Sequence, residues 1–166
     1  MKAVIALGSN LGRRLDTLQG ALDVLFDAPG IHFVAVSPVY ETAPVGGPEQ
    51  EDYFNAVVVA ETDLEPHALL ERAQSVENAF GRVRAERWGP RTLDVDLVTV
   101  GEHVLDDETL TLPHPRAHER AFVLVPWLAV DPDATLPGRG RVADLLAGLG
   151  REGVRERTDL ALQGPQ

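Results

Sequence analysis

Cysteine is absent from the 166 residues, which excludes disulfide scaffolds and thiolate metal sites outright. Long apolar runs are absent too. None approaches the roughly 20 residues that a membrane span needs. The opening Met-Lys-Ala-Val-Ile-Ala-Leu-Gly-Ser-Asn turns polar too early for the apolar core of a signal peptide. The cytoplasm is the expected address, and no membrane partner is expected. Positive charge is scarce: 15 Lys and Arg against 26 Asp and Glu leave a formal net charge of -11, and Lys2 is the sole lysine. A general nucleic-acid binder needs a basic face to meet the phosphate backbone, so no nucleic-acid partner is expected either. Against such a field, any local concentration of arginine is informative.

What is present has the balance of an ordinary globular protein, 44% hydrophobic and 25% charged. Neither repeats nor a low-complexity linker divides the chain, so residues 1–166 read as one domain. A domain near this length hides roughly 70% of its unfolded surface and needs no staples. Ala3 to Leu7 reads as a buried strand closed by a Gly8-Ser9-Asn10 turn. Leu15, Leu18, Leu22 and Leu25 recur at helical spacing until Pro29-Gly30. Ile31 to Tyr40 predicts a second strand, Glu41 to Asp52 a loop, and Tyr53 to Ala60 a third strand dense in valine. Leu69, Leu70, Ala73, Val76 and Phe80 form the apolar stripe of a helix over 65–80, and Leu93 to Val100 is a fourth strand.

This β-α-β-β-α-β order predicts an α+β, ferredoxin-like fold: an antiparallel sheet with both helices on one face, plus a C-terminal extension. Within that extension, Val123 to Val130 is open between strand and buried helix. Val142 to Leu149 reads as a short helix, and residues 151–166 as a loosely held tail.

Asp94 and Asp96 are two apart on a predicted strand, so both leave one face, roughly 6.6 Å apart along the backbone. Such a pair could share hard cations, which take carboxylate and phosphate oxygens; the alternative is the solvated face of a half-exposed strand. Just upstream stand Arg82, Arg84, Arg87 and Arg91, with Trp88 among them and Gly81, Gly89 and Pro90 making the segment a loop. Arginine's fixed fork of donors suits phosphate oxygens, although a surface loop balanced by acidic neighbours would read the same way. Cations and metal-ligand acids within a dozen residues point to nucleotide phosphates and to phosphoryl transfer assisted by magnesium. Gly8-Ser9-Asn10-Leu11-Gly12 matches neither phosphate-loop pattern and reads as a plain turn. His114 lies between Pro113 and Pro115; a lone histidine there could donate to a phosphate or serve structure alone.

Taken together, Arg87-Trp88-Gly89-Pro90-Arg91-Thr92-Leu93-Asp94-Val95-Asp96 resembles the signature of the 6-hydroxymethyl-7,8-dihydropterin pyrophosphokinase family of folate biosynthesis. Ala6 to Gly12, Tyr40 to Pro44, Asp52 to Asn55 and Leu112 to Pro115 resemble its other landmarks, and the likeness runs to about Pro137. The resemblance implies a ferredoxin-like fold and transfer of the diphosphoryl group of ATP to the pterin's hydroxymethyl oxygen, leaving AMP. It implies two magnesium ions on Asp94 and Asp96, with Arg82 and Arg91 on the transferring phosphates. Arg84, Arg87 and Trp88 would lie on a mobile loop that seals the site.

Gln74, Glu77, Leu97, Thr111, His114 and Arg120 match positions that contact the nucleotide. The pterin would lie between Tyr53 and Phe122, read by Asn55 and by the backbone around Thr42, Pro44 and Val45. ATP and the dihydropterin are the expected partners of a monomeric chain. The chain departs from the family pattern at Ala85, Thr109 and Pro115, and its arginine loop is one residue short. Two rival readings stay open: a nucleotidyl transferase or cyclase, which would release pyrophosphate, and a binding module that would not turn ATP over.

Overall fold

A computed structural model describes residues 1–10, 12–43, 51–80 and 93–165. The sheet is built around β1 (Lys2–Ser9) and β4 (Tyr53–Thr62), which pair antiparallel from Lys2 opposite Glu61 to Ser9 opposite Phe54. Residues 54–60 of β4 are all buried, because both faces of this strand are covered. Its run of valine and alanine is the sequence consequence: β-branched side chains suit a strand with no solvent face.

The stretch expected as one strand over 31–40 is two, β2 (Ile31–Val36) and β3 (Tyr40–Thr42), both pairing with β4. Pro38 has no N–H to give to the ladder between them. Ser37 bridges the break instead: its backbone N–H donates to the Val57 carbonyl at 2.9 Å, and its hydroxyl accepts from the Val57 N–H at 2.9 Å. Strand β3 also takes Glu41 and Thr42 out of the expected loop. On the other side of β1 lies β5 (Asp94–Val100).

Helix α1 (Arg14–Leu25) and helix α2 (Pro66–Ala79) cover one face of the sheet. Leu18, Leu22 and Leu25 meet Leu69, Ala73 and Val76 over Ile5, Leu7, Ala56 and Val58. Pro66 opens α2 at a position where its missing N–H costs nothing. The helices are not confined to that face. Helix α3 (Ala121–Val130) and helix α4 (Val142–Leu149) cover the other, packing Val123, Leu124, Trp127 and Leu146 on Val4, Val57 and Val98. The 123–130 segment is therefore a buried helix. Its sequence is apolar all round, so periodicity could not separate it from a strand, and Pro126 inside it removes the helical bond to the Phe122 carbonyl.

Between β5 and α3 lie the two-residue strands β6 (Leu105–Asp106) and β7 (Thr111–Leu112), then a 3₁₀ turn at Ala117–Glu119. A second small hairpin, β8 (Thr135–Leu136) and β9 (Gly140–Arg141), links α3 to α4. The tail, expected to be loosely held, is built in. Strand β10 (Val154–Glu156) pairs with β3 and gives a sheet order of β10-β3-β4-β1-β5, with β2 also on β4. Beyond it Leu162 is buried, and the Gln163 N–H donates to the Gln19 side chain at 2.8 Å.

Candidate active site

The ends of β1, β3, β4 and β5 assemble one row of residues across the sheet. Tyr40 is opposite Asn55, Asn55 is opposite Gly8, and Gly8 is opposite Asp94. Directly paired residues share a face, and Tyr40 belongs to the cluster under α3 and α4. The row therefore lies on that face, as does Asp96, opposite Ala6. Leu93, Val95 and Leu97 turn the other way, into the core with α1 and α2. Leu97, matched above to a nucleotide contact, is 4% exposed among those core residues.

The middle of the row is glycine, and the reason is steric. A Cβ on Gly8 would come within 3.1 Å of Asn55 Oδ1 and 3.6 Å of the Tyr53 ring. Without it, the floor between Asn55 and Asp94 stays open. Gly8 was read above as part of a turn, yet it lies inside β1. The signal for its role is a glycine ending an apolar run, which can mark a close approach as well as a turn.

At the β3–β4 end, Asn55 is 6% exposed and donates from Nδ2 to the Thr42 hydroxyl at 2.7 Å. That bond holds two buried polar groups together. Tyr53 is half-buried beside them.

At the β5 end, the outer strand is held by an acid on the neighbouring helix. The Val95 N–H, between the two aspartates, donates to Glu77 Oε2 at 2.8 Å, and Glu77 is itself buried at 9% exposure. Leaving that buried N–H without its acceptor would cost about 1–3 kcal/mol. Glu77, matched above to a nucleotide position, is thus a support for the backbone between Asp94 and Asp96. Gln74, one turn earlier, is exposed on α2.

His114 approaches β5 through a defect in the strand. The register against β1 slips between Val4 and Ile5, which leaves Val98 as an extra residue. The Val98 carbonyl accepts the His114 backbone N–H at 2.9 Å. Burial, reinforced by the Arg120 and Arg116 guanidinium charges, pushes the His114 imidazole down to about 4. Its Nδ1 accepts the Arg116 backbone N–H at 3.1 Å. The neutral ring then carries its proton on Nε2 and is a donor there. Arg120 lies 5.5 Å from the centroid of the Phe122 ring at the start of α3. Thr111, on β7, gives its hydroxyl to Asp106 at 3.3 Å.

Seven further site residues named from the sequence lie outside the described residues: Arg82, Arg84, Arg87, Trp88, Arg91, Pro44 and Val45. Among the described residues no group of three potential ligands converges for a metal. Asp94 and Asp96, half-buried on one face beside the bare Gly8, form a two-carboxylate, all-oxygen set. That set fits magnesium, which characteristically takes one or two carboxylates and completes its shell with water and substrate phosphates.

Comparison with known proteins bears on this arrangement. Residues 4–132 match the family model described as 7,8-dihydro-6-hydroxymethylpterin-pyrophosphokinase (HPPK). A 2-amino-4-hydroxy-6-hydroxymethyldihydropteridine pyrophosphokinase of Mycobacterium leprae is 52% identical over 179 residues, covering 98% of this chain and 91% of that protein. The protein of the same name from Methylorubrum extorquens is 44% identical, covering 92% of this chain and 96% of its own. Among solved structures, wild-type Plasmodium falciparum HPPK-DHPS with pteroate superposes with a TM-score of 0.72 at 12% identity, over 93% of this chain and 45% of the other. At that identity the likeness speaks for the fold alone, and this chain spans less than half of the longer protein. The family match covers most of the chain and includes every element of the row from Gly8 to Asp96: the chain belongs to the 7,8-dihydro-6-hydroxymethylpterin-pyrophosphokinase family.

Proposed function

We propose that this chain transfers the diphosphoryl group of ATP to the hydroxymethyl oxygen of 6-hydroxymethyl-7,8-dihydropterin, a step of folate biosynthesis. The observation that carries the reading is the row across the sheet. Neutral hydrogen-bonding groups, Asn55 and Thr42, stand at one end and a carboxylate pair at the other, with Gly8 keeping the floor open between them. The sheet order with β2 and β3 outside β4, β1 central and β5 at the far side supports the ferredoxin-like topology expected from the sequence.

In the reaction the hydroxymethyl oxygen forms a bond to the β-phosphorus, and the bond from that phosphorus to the α,β-bridging oxygen breaks. AMP leaves with the bridging oxygen, and the hydroxyl proton passes to solvent. A flat pterin is held by stacking between Tyr53 and Phe122, with its amide and amino edges met by Asn55 and by backbone near Thr42, Pro44 and Val45. Asp94 and Asp96 would hold two magnesium ions, whose charge would offset that of the phosphate oxygens. Glu77 keeps both aspartates in place through the Val95 N–H.

Arg82 and Arg91 engage the transferring oxygens, aided by Arg120 and by the Nε2–H of neutral His114. With Nδ1 taken up as acceptor of the Arg116 N–H, the neutral imidazole still offers Nε2–H as a donor. Arg84, Arg87 and Trp88 cover the nucleotide, and Gln74, Thr111 and the backbone of Leu97, whose side chain is buried in the core, line its base and sugar side. No described side chain is placed as a dedicated general base, so positioning and electrostatics supply the acceleration.

The test is the nucleotide product formed from ATP, magnesium and 6-hydroxymethyl-7,8-dihydropterin. Stoichiometric AMP that requires both pterin and metal is the expected result. ADP or free pyrophosphate would refute diphosphoryl transfer.

A further inference from the structure

Strands β3 and β4 carry Thr42, Tyr53 and Asn55 on one face, and their opposite face is gripped by the C-terminal segment. We propose that residues 154–159 form a clasp that positions the pterin half of the site, with Arg157 as its central positioning residue. This inference rests on the function proposed above.

The grip begins in the backbone. Strand β10 lies antiparallel on β3, Val154 opposite Thr42, Arg155 opposite Glu41 and Glu156 opposite Tyr40. The Arg157 N–H continues it by donating to the Val39 carbonyl at 2.8 Å. Without β10, the outer edge of β3 would present unpaired backbone groups. A strand of only three residues has little else to fix its register.

The side chains then tie β3 to β4. Arg157 donates from Nη1 to Glu41 Oε1 at 2.9 Å, and from Nε and Nη2 to the Asp159 carboxylate at 2.9 and 2.7 Å. Its guanidinium carbon lies 5.3 Å from the centre of the Phe54 ring. Arg155 lies 3.5 Å from both Glu41 and Asp52. Arg14, from α1, completes the set: it donates to the Asp52 carbonyl at 2.7 Å and sits 3.8 Å from the Phe54 centroid. Asn10 holds the next carbonyl, that of Glu51, at 3.3 Å.

The gripped residues alternate with the site residues. Glu41 precedes Thr42, Asp52 precedes Tyr53, and Phe54 lies between Tyr53 and Asn55. Phe54 pairs directly with Glu41 and packs in the core with α1 and α2. Successive side chains on a strand point to opposite faces, so whatever fixes Glu41 and Phe54 fixes the backbone from which Thr42 and Asn55 project. The Thr42–Asn55 bond of 2.7 Å depends on that spacing. The Glu41 side chain is only 14% exposed, and a carboxylate so placed needs its cation. Removing Arg157 leaves it Arg155 at 3.5 Å and Arg14 at 3.9 Å. The family match ends at residue 132, so the clasp comes from beyond the matched span.

The experiment compares wild type, Arg157→Ala, Arg157→Lys, Glu41→Gln and the Arg157→Ala/Glu41→Gln double variant. KM is measured separately for pterin and ATP, and amide hydrogen exchange over 39–42 and 53–57. Arg157→Ala should raise KM for the pterin by about tenfold and leave KM for ATP within about twofold, a split that general destabilisation would not give. Exchange should quicken on β3 and at the start of β4 but not between β1 and β5. Arg157→Lys, which keeps the charge, should recover part of the loss. The double variant should be no worse than Arg157→Ala, since both changes remove one interaction. Equal changes in both KM values, or a lowered melting temperature with neither KM altered, would overturn the clasp. If wild type forms no AMP with the pterin, the proposed function fails by itself. The exchange data then decide the clasp: quickened exchange at 53–57 upholds it and unchanged exchange refutes it.

Discussion

At the β5 end of the site face, Asp94 and Asp96 offer two negative charges whose backbone is pinned by a third acid, Glu77, from the opposite layer. At the β3–β4 end the polar groups are a buried amide and a buried hydroxyl, with no formal charge between them. One sheet face thus carries two chemistries a few strands apart. The charged end suits cations and, through them, phosphate oxygens; the neutral end suits the amide-like edge of a heterocycle, where a charge would have to be desolvated at a cost of several kcal/mol. Gly8 separates them without filling the gap.

Substitutions at the two ends should therefore fail differently. The largest effect is expected at the charged end. Asp96→Asn keeps the shape and removes the charge, and turnover should fall by about a thousandfold or more, on the scale of lost transition-state stabilisation of roughly 4 kcal/mol. Near-normal AMP formation by that variant would break the comparison. At the neutral end, Asn55→Leu removes the amide proposed to meet the pterin and leaves the buried Thr42 hydroxyl without its donor. It should lower kcat/KM for the pterin by about 10- to 100-fold, with KM for ATP little changed in steady-state assays.

Glu77 sharpens the picture further. Glu77→Gln retains an acceptor for the Val95 N–H, whereas Glu77→Ala leaves that buried donor unpaired, at about 1–3 kcal/mol. Chemical denaturation should rank Gln well above Ala in stability. Titration of activity with magnesium should show the Ala variant needing more metal.

The smallest effect is expected from pH. His114 is held at about 4 in the folded chain, below the ordinary 6.5. Between those values the unfolded state takes up the proton first. The contribution of His114 is therefore present above pH 6.5 and lost as pH falls toward 4. Denaturation midpoints at pH 7 and pH 5 should differ less in His114→Gln than in wild type.

The sequence made the two ends legible to different degrees. Asp94 and Asp96 could be placed on one face from strand periodicity alone, because the alternation with Leu93, Val95 and Leu97 is unbroken there. Asn55 could be flagged as an amide inside a valine-rich strand, and the family resemblance named the backbone around Thr42 beside it. The Thr42 hydroxyl as its hydrogen-bond partner was not legible, because Thr42 stands in a stretch that reads as a loop and only the break at Pro38 makes it part of β3. The role of Gly8 was masked by its neighbours Ser9 and Asn10, which read as a turn. The second helical layer was unreadable for a different reason. A helix apolar on every side, such as α3, carries no periodic signal. The tail's attachment depends on contacts between Arg157 and Glu41, 116 positions apart, which no local pattern encodes.

The division of labour across the row is most directly tested by equilibrium binding of 6-hydroxymethyl-7,8-dihydropterin to Asp96→Asn, followed by fluorescence beside its AMP assay. The account predicts pterin affinity within about twofold of wild type, as expected where the missing charge acts only in the transition state, with AMP formation all but abolished. Loss of pterin binding together with turnover would contradict it, because the two ends would then be one site and not two.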